Sequence, residues 1–288
     1  MEAEPETPAP RSSGVGRSIW WKVAAAAGLV AVLGTAGAIT LLYHGRVQPL
    51  GLAQAGPRSP AASPSPDDPL TLACRRPAVP GTGTTGVAGL WETQRGSIAG
   101  YRAHERFAEL TSPHEAVART DQLSGWVLVA AGDDSIQIQT GCIAIDVRNL
   151  NSVDELPGFN TADRDQSARD MLGSRSHPFV VFEPYPSTIA VDPASAAVQH
   201  IQISGDLEIS GVTKPARFAL DVRLQNSELT AAGSTTVPVG DFGVQVPEEV
   251  GGFVQVDPHI TLEVSLILLH SRHPAVAANQ DGSPLQPS

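Results

Sequence analysis

The sequence predicts a mainly β protein built on antiparallel strands, and three observations predict it. Ile201, Ile203, Leu207 and Ile209 share one parity, with Gly205 in the gap, and Phe218, Leu220, Val222 and Leu224 share another beyond it. A period of two sets each group on one face of a strand. Between the two runs, Ser210-Gly211-Val212-Thr213-Lys214-Pro215 supplies the Gly and Pro of a chain reversal. From residue 89 onward such segments recur, and strands are expected at 90–94, 97–104, 123–130, 135–147, 178–183, 187–192, 199–209, 215–225, 228–239 and 259–269. A sheet with one apolar face must cover it with a second sheet, a helix layer or its own far wall after closing into a barrel.

The elements follow in order. Residues 1–18 are a polar stub. The stretch 19–43 is expected to be one transmembrane helix. Its 23–43 portion holds 21 residues without a charge, roughly 32 Å of helix against a hydrocarbon core of about 30 Å. Trp20, Trp21 and Tyr43 stand at its ends as interfacial aromatics do. Arg11, Arg17 and Lys22 precede it and Arg46 follows, which places the N-terminus in the cytoplasm and the remainder outside. Ala36-Gly37-Ala38 offers a competing signal-peptide site, but apolar residues continue to Leu42, which favours an uncleaved anchor.

Residues 44–88 hold eight prolines among Gly, Ser and Ala and are expected to be a disordered linker. As a coil it would span on the order of 35–40 Å. Gly81-Thr82-Gly83-Thr84-Thr85-Gly86 satisfies GxGxxG, yet Pro80 precedes it and an alternating segment follows. It lacks the strand and helix that a pyrophosphate loop needs and reads as a spacer.

Residues 89–270 form the β domain. Ile136 and Ile138 are even, whereas Ile143, Ile145 and Val147 are odd. The slip predicts a β-bulge near Gly141, a device that bends a strand and helps a sheet curl. Residues 161–173 have few β-branched side chains and suit a short helix or a lid. The tail 271–288 is polar and expected to be disordered.

The chain carries net charge −11, with the acidic excess concentrated after residue 89. That argues against nucleic-acid binding, which relies on Lys and Arg to neutralise phosphates. His104-Glu105 begins like HExxH, but Ala108 occupies the second His position. No GxSxG elbow or P-loop occurs, and the eight histidines are scattered. No catalytic residue, metal site or resident cofactor is therefore expected. Arg164, Asp165 and Arg169 lie in the densest charge cluster. They either form a polar rim that meets a headgroup, where a diphosphate would suit the Arg fork, or tie a helix to the sheet. Cys74 and Cys142 either pair, pinning the end of the linker to the sheet, or are unrelated thiols.

The hairpin GDLEISGVTKPARF, beginning at Gly205, resembles the late hairpin of the YceI-like proteins. Gly96-Ser97-Ile98-Ala99-Gly100-Tyr101-Arg102 is similar to the opening strands of the family's actinobacterial branch. Arg164-Asp165, Arg169, Met171, Leu172, Pro178 and Phe182 fit its RDxxxR…P…F segment, and Asp241-Phe242-Gly243-Val244 its late D-F/W-G-V/I element. The sequence departs from the family at Gly96-Ser97, where a His-Ser pair is common, and at Pro238-Val239, where Asn-Arg is frequent. The resemblance implies an antiparallel, lipocalin-like β-barrel outside the cytoplasm whose guest is a polyisoprenoid or related lipid.

An eight-stranded barrel is either filled by side chains or holds one small ligand. With only seven Phe in the chain, a barrel lined by Ile, Leu and Val suits a long apolar guest. Tyr101, Trp126, Ile143, Ile145, Leu207, Ile209, Phe218 and Leu220 are the candidate lining residues, although parity does not say which face is the cavity. The expected function is a non-catalytic, membrane-tethered lipid carrier, with an apolar lipid and the membrane as partners and no nucleic acid. The rival is a filled β-module acting through protein–protein contacts. The sequence leaves the oligomeric state open.

Overall fold

A computed structural model describes residues 46–53, 67–76, 87–107, 113–155, 160–192, 194–246 and 254–271. The described strands are β1 (Gly89–Thr93), β2 (Ile98–Phe107), β3 (His114–Thr120), β4 (Leu123–Ala131), β5 (Ser135–Asp146), β6 (Asn151–Ser152), β7 (Phe179–Pro184), β8 (Ser187–Ala190), β9 (Gln199–Ile209), β10 (Val212–Gln225), β11 (Glu228–Pro238), β12 (Val254–Val256) and β13 (His259–His270). Two α-helices are described, α1 (Pro69–Ala73) and α2 (Thr161–Met171).

Eight strands close an antiparallel ring in the order β1-β4-β5-β7-β9-β10-β11-β13 and back to β1. β13 makes the closure. Its C-terminal residues pair with β1, Trp91 opposite His270, while Thr261 to Ser265 pair with β2. β1 and β2 thus follow one another along a single partner, and the chain kinks between them at Gly96, whose φ of 92° favours glycine. β2 carries β3 and β12 away from the ring, and β6 continues from β3.

The ten expected strands all form, within three residues at each end. Three strands, β3, β6 and β12, were not expected. β3 has the sequence HEAVART, in which Ala116, Val117 and Ala118 are buried consecutively. Both faces are covered, so no alternation marks it, and alanine has little strand preference.

The reversal between β9 and β10 is tighter than 210–215. Only Ser210 (φ 53°) and Gly211 (φ 77°) turn, and Val212 to Pro215 already pair with β9. Two positive φ values in a two-residue loop define the turn whose twist matches the flanking strands. The bulge lies beside the expected place. Leu128 opposes Thr140 and Val129 opposes Ile138, which leaves Gln139 as the extra residue. That single insertion restores Ile136, Ile138, Ile143 and Ile145 to one face. Gly205 permits a close approach, because a Cβ there would stand 2.3 Å from the Glu183 carbonyl oxygen and 2.8 Å from the Phe182 ring.

Parts of the expected linker lie against the barrel. Residues 47–53 form a strap across the outer wall. Arg102 donates to the Val47 carbonyl at 2.9 Å, Ser265 to Gly51 at 2.8 Å and Arg223 to Ala53 at 3.1 Å. Arg119 donates to Gln48, and the Leu50 N–H donates to Glu263 at 3.1 Å. Polar backbone meeting charged side chains gives no apolar period to read, which is why composition alone suggests a free spacer here. Further on, Asp68 caps α1 and Cys74 is buried, joined to Cys142 on β5 by a disulfide. The expected transmembrane segment 19–43 lies outside the described residues, among which no helix is long and apolar enough to cross a membrane. The tail from 272 also lies outside them.

Candidate functional site

The ring encloses a cavity of about 540 Å³ with an almost wholly apolar wall. The interior is not plugged with side chains. Inward parity on β9 (Ile201, Ile203, Leu207, Ile209) and β10 (Phe218, Leu220, Val222) supplies two staves, and Ile143 and Ile145 on β5 a third. On β11 the inward parity runs from Leu229 to Val237 and is small at its middle, Ala231 and Gly233, opposite Val222 and Leu220. Two apolar clusters bracket the space. One joins Leu207, Ile209, Phe242 and Ile260 to Met171 of α2 and to Leu172, which caps it. The other joins Trp91, Val129, Leu266 and Leu268 at the far end. Phe182 and Phe218 meet edge to face, with ring centroids 5.0 Å apart.

Tyr101, Ile143, Ile145, Leu207, Ile209, Phe218 and Leu220 all line this cavity. Trp126 borders it too, but stands on the opposite parity to Val127 and Val129. Its indole packs with Cys74, Cys142 and Ala144, and its Nε1 donates to the Cys74 carbonyl at 3.0 Å. Trp126 therefore ties the disulfide and α1 to the wall from behind.

The three charged candidates divide. Asp165 is buried and accepts from the Ser152 N–H at 2.9 Å and from its hydroxyl at 2.5 Å. Arg169 donates to the Leu150 carbonyl at 2.8 Å. These two clamp α2 onto β6 and the 3₁₀ turn Val147–Asn149. Only Arg164 borders the cavity. Its Nη2 donates to Asp154 at 2.5 Å and to the Ser152 hydroxyl at 2.6 Å, and its Nη1 lies 3.5 Å from Glu105.

Reasoning from motifs passed over Glu105. A signal existed, because Ala99, Tyr101, Ala103, Glu105 and Phe107 share the inward parity of β2, and a carboxyl among them is out of place. Glu105 is 5 % exposed. Burial pushes its pKa above the usual carboxylate value, and Arg164 and His114 only partly oppose this. Burial likewise pushes the Tyr101 hydroxyl up to about 12. Asp154 behaves oppositely. Burial disfavours its anion, yet hydrogen bonds from Arg164, the Val117 N–H and His114 outweigh that and hold its pKa below the ordinary range. Arg164 is held charged, since Asp154 overcomes the desolvation. The result is one polar pole, of Tyr101, Glu105 and Arg164, beside α2 in an otherwise greasy chamber. Among the described residues no group of three or more His, Cys, Asp or Glu side chains is placed to hold a metal ion.

Fold and site together define a hollow antiparallel barrel with an apolar interior and a single polar pole. The family model of the YceI-like domain matches residues 102–268, and the chain belongs to that family. Similar solved structures include a polyisoprenoid-binding domain from Saccharophagus degradans implicated in plant cell wall breakdown, at 14 % identity and TM-score 0.46, covering 64 % of this chain and 99 % of that one. BcnA from Burkholderia cenocepacia is similar at 15 % identity and TM-score 0.42, covering 59 % of this chain and 95 % of the other. The YceI protein of Campylobacter jejuni follows at 12 % identity and TM-score 0.33, covering 56 % and 83 %. No curated protein matches the chain.

Proposed function

We propose that this protein is a membrane-tethered, extracytoplasmic carrier that holds one apolar lipid, a polyisoprenoid or quinone-like molecule, inside its barrel without catalysing a reaction on it. The observation that carries this is the apolar barrel cavity of about 540 Å³. At the roughly 30 Å³ that a water-sized group occupies in a liquid, it has room for on the order of twenty methylenes. At about 0.8 kcal/mol each, burying such a chain supplies roughly 15 kcal/mol, at the upper end of the 4–15 kcal/mol that association costs. A long hydrocarbon thus gains affinity from burial alone, and no covalent step is needed. The isoprenoid identity comes from the family resemblance, and the tether and its orientation from the sequence of 19–43.

The test is native mass spectrometry of the full chain purified in phosphatidylcholine nanodiscs from a host with its own lipids. A mass increment that is exchanged by added prenyl lipid supports the proposal. A protein that always flies at its bare mass and takes up no prenyl lipid refutes it.

A further inference from the structure

We infer that the polar pole of the cavity selects a guest with an uncharged hydroxyl or carbonyl head and excludes one bearing a phosphate or diphosphate. This rests on the lipid-binding reading and deepens it.

The charge inventory decides the matter. Among the described residues bordering the cavity, Arg164 is the one cation, whereas Glu105 and Asp163 bring carboxylates. Glu263 also borders it, but its carboxylate faces the outer wall, on Arg102 and Arg119. Arg164 is largely committed, and only its buried Nε lacks a hydrogen-bond partner among the described residues. Its Nη2 is spent on Asp154 and Ser152, and its Nη1 already faces Glu105. A phosphate reaching it would draw it from buried Asp154, leaving that carboxylate only His114 and the Val117 N–H, and would meet Glu105 besides. A phosphorylated head would therefore arrive, desolvated, where the local charge is negative.

The same geometry suits a neutral head. Glu105 is held on the inward face of β2, and among the described residues its nearest charged partner is Arg164 at 3.5 Å. Tyr101 stands four residues away on the same parity, and no hydrogen bond among the described residues engages its hydroxyl. A phenol can donate to a carbonyl, and a phenol or a carboxylate can accept from an alcohol. The apolar tail would then run from α2 toward Trp91 and Leu268 at the other end.

Equilibrium binding of tritiated geranylgeraniol and geranylgeranyl diphosphate to the full chain in phosphatidylcholine nanodiscs, with empty nanodiscs as blank, tests this. The two probes share a tail and differ only in the head. The alcohol should bind at least about a hundredfold more tightly, as expected for several like charges within a few ångströms at reduced dielectric. Glu105→Gln keeps a hydrogen-bonding group of the same shape. It should leave the alcohol within about threefold of wild type and narrow the preference at least about tenfold. Tyr101→Phe should weaken the alcohol several-fold. Equal affinity for the two probes, tighter binding of the diphosphate, or a preference unchanged in Glu105→Gln overturns the inference and leaves the carrier reading standing. Binding of neither probe overturns both.

Discussion

Glu263 holds the strap to the barrel, and its replacement by Gln gives a quantitative test of whether residues 47–53 belong to the folded body. The carboxylate is 3 % exposed and accepts from Arg102 Nε at 2.8 Å, Arg119 at 2.9 Å and the Leu50 N–H at 3.1 Å. Gln is nearly isosteric, so cavity terms are small. What changes is that two guanidinium groups lose their shared counter-ion. Breaking a buried pair from one side costs about 3–5 kcal/mol. Arg102 retains Glu115 at 2.8 Å, so the lower end, about 3 kcal/mol, is expected here. For a domain of this size that lowers Tm by roughly 6–12 °C. Glu92→Gln is the internal control. It removes a partner of Arg76 where both side chains are about a third exposed, and should cost no more than about 1 kcal/mol. Urea denaturation followed by tryptophan fluorescence gives both numbers. Hydrogen exchange read by mass spectrometry on a peptide covering 47–53 should accelerate in Glu263→Gln alone, because the Leu50 amide loses a charged acceptor. Equal costs for the two variants, with exchange of that peptide unchanged, would refute the reasoning.

Three further outcomes are expected. Replacing Cys74 and Cys142 together by Ser should destabilise the protein by about 4 kcal/mol on the loop-entropy model, since the bridge spans a sequence separation of 68; an equilibrium denaturation midpoint insensitive to the double replacement would contradict this. In an alkaline absorbance titration, the phenolate signal lost on Tyr101→Phe should be the component with a pKa near 12. Because that folded value is raised, stability should fall as pH climbs from about 10 toward 12, by roughly 2.7 kcal/mol at most. The stability difference between wild type and Tyr101→Phe across that range checks it. Asp154 has a lowered folded pKa, so its contribution is present above the ordinary aspartate pKa and is lost as pH falls through the lower folded value. Asp154→Asn should therefore flatten the acid limb of the stability curve, as read by circular dichroism.

The frame of the barrel was legible because its staves obey a period of two. Ile201 to Ile209 and Phe218 to Leu224 announce their inward face, and even the phase slip in β5 foretells a bulge within two residues of Gln139. Seven of the eight lining candidates rest on that same periodicity. Three things escaped it. β3 is built from alanines and is covered on both sides, so its sequence has no contrast to read. The strap binds through backbone carbonyls and amides, which every residue possesses, so nothing in its composition marks it. Glu105 was visible only once β2 had been assigned a parity, since a search for metal or nucleophile motifs discards a carboxyl whose second histidine is missing. Trp126 was legible in part, since it borders the cavity as expected and is also packed behind the wall. Hydrophobicity marks it for burial, but burial on the outer wall beneath α1 satisfies an indole as well as the interior does.

The bond between Cys74 and Cys142 has a consequence for how this chain survives damage. β1, β2, β3 and β4 all lie within the covalent circle it draws. A protease that severs the backbone anywhere between those cysteines leaves two pieces that still migrate as one molecule. They remain paired through the ring of ladders until a reductant separates them. A nicked barrel would thus keep its shape, and a gel run without thiol would fail to report the cut.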